Sequence, residues 1–263
     1  VTLRSSGLLF FTAYALLSTY ILARSVLGLP FQVWSGFLHP VLAFLFTVTH
    51  AAPRFGRGRT ALFLGITLLL TLGVEMLGVA TGFPFGRYHY TDRLGPLLLG
   101  LVPYLIPISW VIMLYPSLVI ATRILPAGSS RWGWRLGVAA LAATALTAWD
   151  LVVDPVMVSR QHWVWEQPGP YFGIPLSNYF GWWLTGFTVA GLFLWLGNVQ
   201  PGEPPRLPGE RLAVWLYALT AAVNIASAVK AGLEGAALAA GFAMLPWVIV
   251  GLLRTSPIRV THE

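Results

Sequence analysis

A chain of 263 residues that is 57% hydrophobic and only 10% charged, with a mean hydropathy of +0.73, carries too few polar side chains to coat a soluble domain. It has no cysteine, which excludes a disulfide framework and a thiolate metal site. The net charge of +7 is confined to short links between apolar runs, so it is a topology signal and implies no nucleic-acid partner.

Apolar runs of membrane-crossing length, about 17 to 25 residues, fall at 7–27, 33–51, 60–81, 96–123, 135–158, 178–198, 211–230 and 233–253. They are continuous rather than alternating, which excludes a β-barrel, and lipid obliges each backbone amide to bond within its own segment. The expected fold is all-α: a polytopic transmembrane helix bundle of eight spans, or seven as the alternative, forming a single transmembrane domain over 1–263. In the eight-span arrangement Arg4, Arg54, Arg57, Arg59, Arg123, Arg131, Arg135, Arg206, Arg211, Arg254 and Arg259 share one side. Arg24, Arg87, Arg93, Arg160 and Lys230 share the other. The positive-inside rule then predicts a multi-pass protein of the cell membrane with both termini cytoplasmic. The first span follows one basic residue and lacks a clear small-residue cleavage site, so it reads as a retained helix.

In the second span His39 and His50 lie near opposite ends, cannot share one site, and read as structural. The third span carries Glu75 within LTLGVEMLGVATG, where an acid in hydrocarbon costs about 2.5 to 3.5 kcal/mol or more. The link that follows, TGFPFGRYHYTDRLGP (81–96), is dense in aromatic residues, glycine and proline. The fourth span contains Pro103, Pro107 and Pro116 and is expected to bend, leaving room for a ligand between helices.

The fifth span carries Asp150 and Asp154 in ALTAWDLVVDPVMV. Four residues apart, they share a helix face, and ionising both is unfavourable, so one should keep its proton. Pro155 removes a helical donor near the carbonyl of Leu151, which predicts a kink or an end at a polar notch beside the acids. At 1.5 Å per residue Glu75 lies roughly 9 Å and Asp150 roughly 12 Å below the same membrane face. A second aromatic link, RQHWVWEQPGPYFGIPLSNYFGWW (160–183), falls on the side of the first. An interfacial belt accounts for their tryptophans and tyrosines; their glycines and prolines favour a pocket rim or lid. Gly186 with Ala190 and Gly232 with Ala236 have the spacing of close helix packing, or of a homodimer face. The stretch QPGEPPRLPGER (200–211) reads as a proline-rich turn between spans.

The sequence contains no G-x-G-x-x-G, P-loop, H-E-x-x-H, clustered histidine box or D-D-x-x-D motif. Acid chemistry without a cofactor, on an apolar substrate, is what remains. The stretches GVEMLGVATGFPFGRYHYTDRLGP, VPYLIPISW, AWDLVVDPVM and GPYFGIPLSNYFGWW resemble the integral-membrane carotenoid hydratases, known as carotenoid biosynthesis proteins. The likeness is strong from about residue 60 to 185 and weaker at the ends. Members of that family act on γ-carotene, lycopene or bisanhydrobacterioruberin. The resemblance implies addition of water to the terminal C1,C2 double bond of an acyclic or monocyclic carotenoid, inside a lipid bilayer.

Protonating such an alkene at C2 leaves a tertiary cation at C1, which calls for an un-ionised acid in a dry site and electron-rich walls. The expected proton donor is Asp150, with Glu75 or Asp154 steering the water and Asn178 holding it. Tyr88, Tyr90, Trp149, Trp182 and Trp183 are the candidate aromatic walls. A membrane lycopene cyclase shares the protonation step, and a proton-coupled transporter or a non-catalytic carotenoid-binding protein would also bury acids.

Overall fold

The computed structural model describes residues 3–126, 130–202 and 209–254. Arg206, Arg259 and the centre of the 200–211 link lie outside the described residues. Eight helices, each long and apolar enough to cross a bilayer, make up the chain: α1 (Leu3–Val26), α2 (Val33–Phe55), α3 (Arg57–Thr81), α4 (Leu105–Ile124), α5 (Arg131–Ser159), α6 (Leu176–Leu196), α7 (Arg211–Lys230) and α8 (Glu234–Leu253). The protein is therefore an all-α polytopic bundle.

Helix α4 is its axis. The run Trp110–Ala121 is buried without a break, as expected of a helix apolar on every side, and α2, α3, α5, α7 and α8 all pack on it. Only 28% of the apolar window of α1, α2, α3 and α8 is buried, against 78% for α4, so those four turn much of their surface to lipid. Four short strands lie at one end: β1 (Tyr88–Tyr90), β2 (Leu97–Leu98), β3 (Val102–Pro103) and β4 (Trp163–Trp165).

The fourth span differs from its expected bounds. Residues 97–103, read as helix from composition, form the β2–β3 hairpin, and α4 begins only at Leu105. Leu99 and Gly100 at its tip have positive φ, and Pro103 has no amide for a helical bond, so apolarity here serves a turn. Pro107 lies in the first turn of α4, where a missing amide costs little, and Pro116 lies inside the helix. Helix α5 likewise runs on past Pro155 to Ser159 rather than ending there. The carbonyl that Pro155 leaves without its helical partner, Leu151 O, accepts a hydrogen bond from Tyr171 Oη at 2.8 Å. A side chain from the second aromatic link thus satisfies the notch.

Gly186 lets α5 and α6 close together, for a Cβ there would lie 2.9 Å from Leu146 Cδ2. Gly186 and Ala190 are buried inside the chain, so this pair is an internal contact rather than a dimer face. Gly232 is not on a helix. It sits in the α7–α8 turn with φ +71°, and a Cβ there would meet open space, so its role is the left-handed turn. Phe85, wholly buried, wedges the first aromatic link between α3 and α6, where Gly78 and Gly181 make room for its ring.

At the opposite end Glu210, just before α7, bridges Arg54 of α2 and Arg123 of α4, and all three are buried. Arg123 Nε also donates to Gly251 O of α8 at 2.7 Å, so the network joins four helices. Glu210→Ala removes the shared anion from two buried guanidinium groups, and the expected cost is about 3 to 5 kcal/mol. Thermal unfolding in detergent should show a large drop in midpoint for Glu210→Ala; a midpoint equal to wild type would refute the structural role of the network.

Candidate active site

The two aromatic links meet. Strands β1 and β4 pair antiparallel, with Tyr88 opposite Trp165, His89 opposite Val164 and Tyr90 opposite Trp163. Because side chains alternate along a strand, Tyr88, Tyr90, Trp163 and Trp165 gather on one face, with ring centroids 4.9 Å apart for Tyr88–Trp165 and 5.8 Å for Tyr90–Trp163. That face caps the end of the bundle over Glu75. Tyr88 Oη donates to Glu75 Oε2 at 2.5 Å, and Tyr90 Oη donates to the same oxygen at 2.8 Å. Trp110 Nε1, from α4, donates to Glu75 Oε1 at 3.1 Å. Burial first, and then the Glu75 carboxylate, push both phenols well above the usual tyrosine range, so they stay O–H donors. Three donors converging on two oxygens fix Glu75 as an acceptor.

Asp150 and Asp154 face the same volume from α5, and both are buried. They share one amide: Asn178 Nδ2, from the first turn of α6, donates to Asp150 Oδ2 at 2.9 Å and to Asp154 Oδ2 at 2.5 Å. The second oxygen of Asp150, Oδ1, is buried without a hydrogen-bond partner. Among the described residues no arginine, lysine or histidine forms an ion pair with Glu75, Asp150 or Asp154. Two buried carboxyls sharing a single NH2 group, with no ion pair among the described residues, are unfavourable when both are ionised. Among the described residues no three His, Cys, Asp or Glu side chains are grouped closely enough to hold a metal ion.

Glu75 and Asp154 border a chamber of about 220 Å³ lined by residues of α1, α2, α3, α4, α5, α6, α7 and the β1–β4 ribbon. Glu75, Asp154, Asn178, Tyr88, Tyr90, Trp149 and Trp182 all line it. Asp150 does not: it stands behind Asp154, reached through Asn178. Trp183 also lies elsewhere. It follows Trp182 by about 100° around α6, donates from Nε1 to Thr144 Oγ1 at 3.1 Å and stacks on Phe187, away from the chamber.

Three further indoles, which the sequence did not single out, support the site: Trp163 and Trp165 line the chamber, and Trp110 backs it through Trp182 and Glu75. Trp110 stacks on Trp182 with centroids 4.1 Å apart and planes 14° from parallel, while Trp149 meets Trp182 edge-on at 5.9 Å. Trp163 and Trp165 arrive with β4. The period-2 pattern W-V-W matching Y-H-Y was a visible signal for these two; Trp110, inside an unbroken apolar run, gave none. His39 lines the far wall, bonded to Ser18 Oγ at 3.0 Å, and His50 sits apart against Tyr115 Oη at 2.5 Å, so the two do not share a site.

The family model described as carotenoid biosynthesis protein matches residues 35–250. Bisanhydrobacterioruberin hydratase of Haloarcula japonica is 35% identical over 149 residues, which is 57% of this chain and 49% of that protein, so the match spans about half of the relative's length. No solved structure matches the chain. With seven-eighths or so of the apolar bundle and every acid of the chamber inside the matched span, the chain belongs to the carotenoid biosynthesis protein family.

Proposed function

We propose that the protein is a carotenoid hydratase that adds water across the terminal C1,C2 double bond of an acyclic end group, as in lycopene or γ-carotene. The carrying observation is that Glu75 and Asp154, with Asp150 joined to Asp154 through Asn178, meet at a tryptophan-walled chamber and form no ion pair among the described residues. Its volume, about 220 Å³, lies below the roughly 300 to 1,000 Å³ of sites that engulf a drug-sized ligand. It suits the tip of a long apolar chain whose remainder stays in lipid. The basic residues concentrated at the opposite end support an orientation with the chamber end away from the cytoplasm.

In this mechanism the aspartate pair holds one proton and Asp154, the member on the wall, delivers it to C2. The C2–H bond forms as the π bond is consumed, leaving a tertiary cation at C1. Trp149, Trp182 and the ribbon aromatics stabilise that cation by roughly 0.5 to 2 kcal/mol each, and Glu75 supplies the facing negative charge. Water held by Asn178 Oδ1 adds to C1 and yields its extra proton to the Asp154 carboxylate, which restores the starting state and requires no cofactor. Asp150 acts behind Asp154, through the shared Asn178 amide, to place and retain the proton. This revises the direct-donor role that sequence position alone suggested for Asp150.

In a lycopene-producing host the protein should yield pigment heavier by one or two waters, with oxygen drawn from labelled water. An unchanged mass would instead indicate cyclisation or binding alone, and label arriving from O2 would exclude hydration. Asp154→Asn should lower product formation by about 10² to 10⁴-fold, the range for loss of a general acid, with the protein still present in membranes at wild-type level.

Trp182→Leu should reduce product about tenfold or more through loss of cation stabilisation, whereas Trp183→Leu should leave it near wild type. Equal losses in the two tryptophan variants, measured by chromatography of extracted pigment, would show that the chamber wall is misassigned.

A further inference from the structure

A second cavity, about 180 Å³, opens beside the chamber at the ribbon end of the bundle. Three cations line it: Arg24 near the end of α1, Arg160 at the end of α5 and Lys230 at the end of α7. None of the carboxylates at that end, Asp92, Glu166 or Glu234, lines it, nor do Glu75, Asp150 and Asp154. Three of the five basic residues at this end of the protein thus converge on one hollow without a counter-charge.

Their existing contacts do not neutralise them. Arg24 Nη2 donates to Pro30 O at 2.9 Å, and Lys230 Nζ donates to Leu29 O, both backbone carbonyls of the α1–α2 link. Arg24 Nε is buried with no partner. The Arg160 guanidinium lies over the Phe31 ring, 5.6 Å from its centroid, and makes no side-chain hydrogen bond among the described residues. Burial pushes its pKa down from the ordinary arginine value, a sign that the charge is poorly solvated where it stands. Gln32 adds an uncharged amide to the rim.

We propose that this cavity binds a phosphate group, carried either by the headgroup of a bilayer lipid or by free inorganic phosphate. Two guanidinium forks and an ammonium supply the directed donors that phosphate oxygens accept, and the cavity lies at the helix ends, the level of lipid headgroups. Phe31, Ser35, Arg160 and Ser227 line both this cavity and the chamber. A bound phosphate would therefore hold Arg160 and Phe31 in the partition between the two. The proposal is independent of the hydratase reading.

The test uses the full chain in an uncharged detergent, examined by native mass spectrometry with dioleoyl phosphatidylglycerol or dioleoylglycerol, and by thermal unfolding in sodium phosphate against sodium chloride of equal ionic strength. Wild type should retain one phosphatidylglycerol and no dioleoylglycerol, with affinity at least about tenfold weaker in Arg24→Gln/Lys230→Gln. Should that variant give too little protein, Arg160→Gln provides the same comparison. Stabilisation by inorganic phosphate together with displacement of the lipid would identify the free anion as sufficient; lipid retention untouched by phosphate would identify the headgroup as the source. Equal retention by wild type and variants, or no preference for phosphatidylglycerol over dioleoylglycerol and no stabilisation by phosphate, would overturn the proposal.

Discussion

A carboxyl group carried into hydrocarbon must find hydrogen-bond donors inside the protein, because the solvent around it has none to give. Here that demand falls on Glu75, Asp150 and Asp154, and the architecture at one end of the bundle follows from it. Glu75 is answered by Tyr88, Tyr90 and Trp110, and the aspartates by Asn178. These donors come from three separate parts of the chain, the first aromatic link, α4 and α6, and meet acids on α3 and α5. Satisfying the acids therefore draws the loops down onto the helices and assembles the chamber.

The ribbon depends on the same arrangement. An isolated two-stranded ribbon is marginal in water, yet β1 and β4, far apart in the chain, are held by the phenols on Glu75, by Phe85 seated between Gly78 and Gly181, and by Tyr171 on the Leu151 carbonyl. What composition alone would assign to an interfacial belt becomes a cap whose inner face is aromatic. At the other end, Glu210 with Arg54 and Arg123 ties the helices together. One end of the bundle is locked by a buried ion network; at the other, the buried acids form no ion pair among the described residues. The buried ion network and the proposed site of chemistry thus lie at opposite ends of the fold.

Much of this was legible in residues. Continuous apolar runs located the spans, since bilayer thickness fixes their length, and the acids in them stood out because each is costly there. Asp150 and Asp154 were placed on one face by helical periodicity, and the carbonyl freed by Pro155 was foreseeable from proline chemistry. The N-terminal bound of α4 was not, because Leu97, Leu98 and Leu101 are equally apolar in a span or in a hairpin on its end. Trp183 and Gly232 were assigned by proximity in sequence to informative neighbours, and a single residue's rotation, or a turn's positive φ, moved each away from its expected place.

The sequence by itself determined an all-α membrane bundle of about eight spans, with seven as the alternative, and which charged groups it must bury, because hydrocarbon thickness and the cost of desolvation act on composition and spacing alone. Only the tertiary structure decided which donors meet each acid, that Asp154 rather than Asp150 stands on the chamber wall, that β1 and β4 pair to bring four aromatic rings to one face, and that Arg24, Arg160 and Lys230 share a cavity. These are matters of rotation about helix axes and of contact between segments distant in the chain. No local periodicity encodes them, since each helix's orientation is set by the neighbours it packs against.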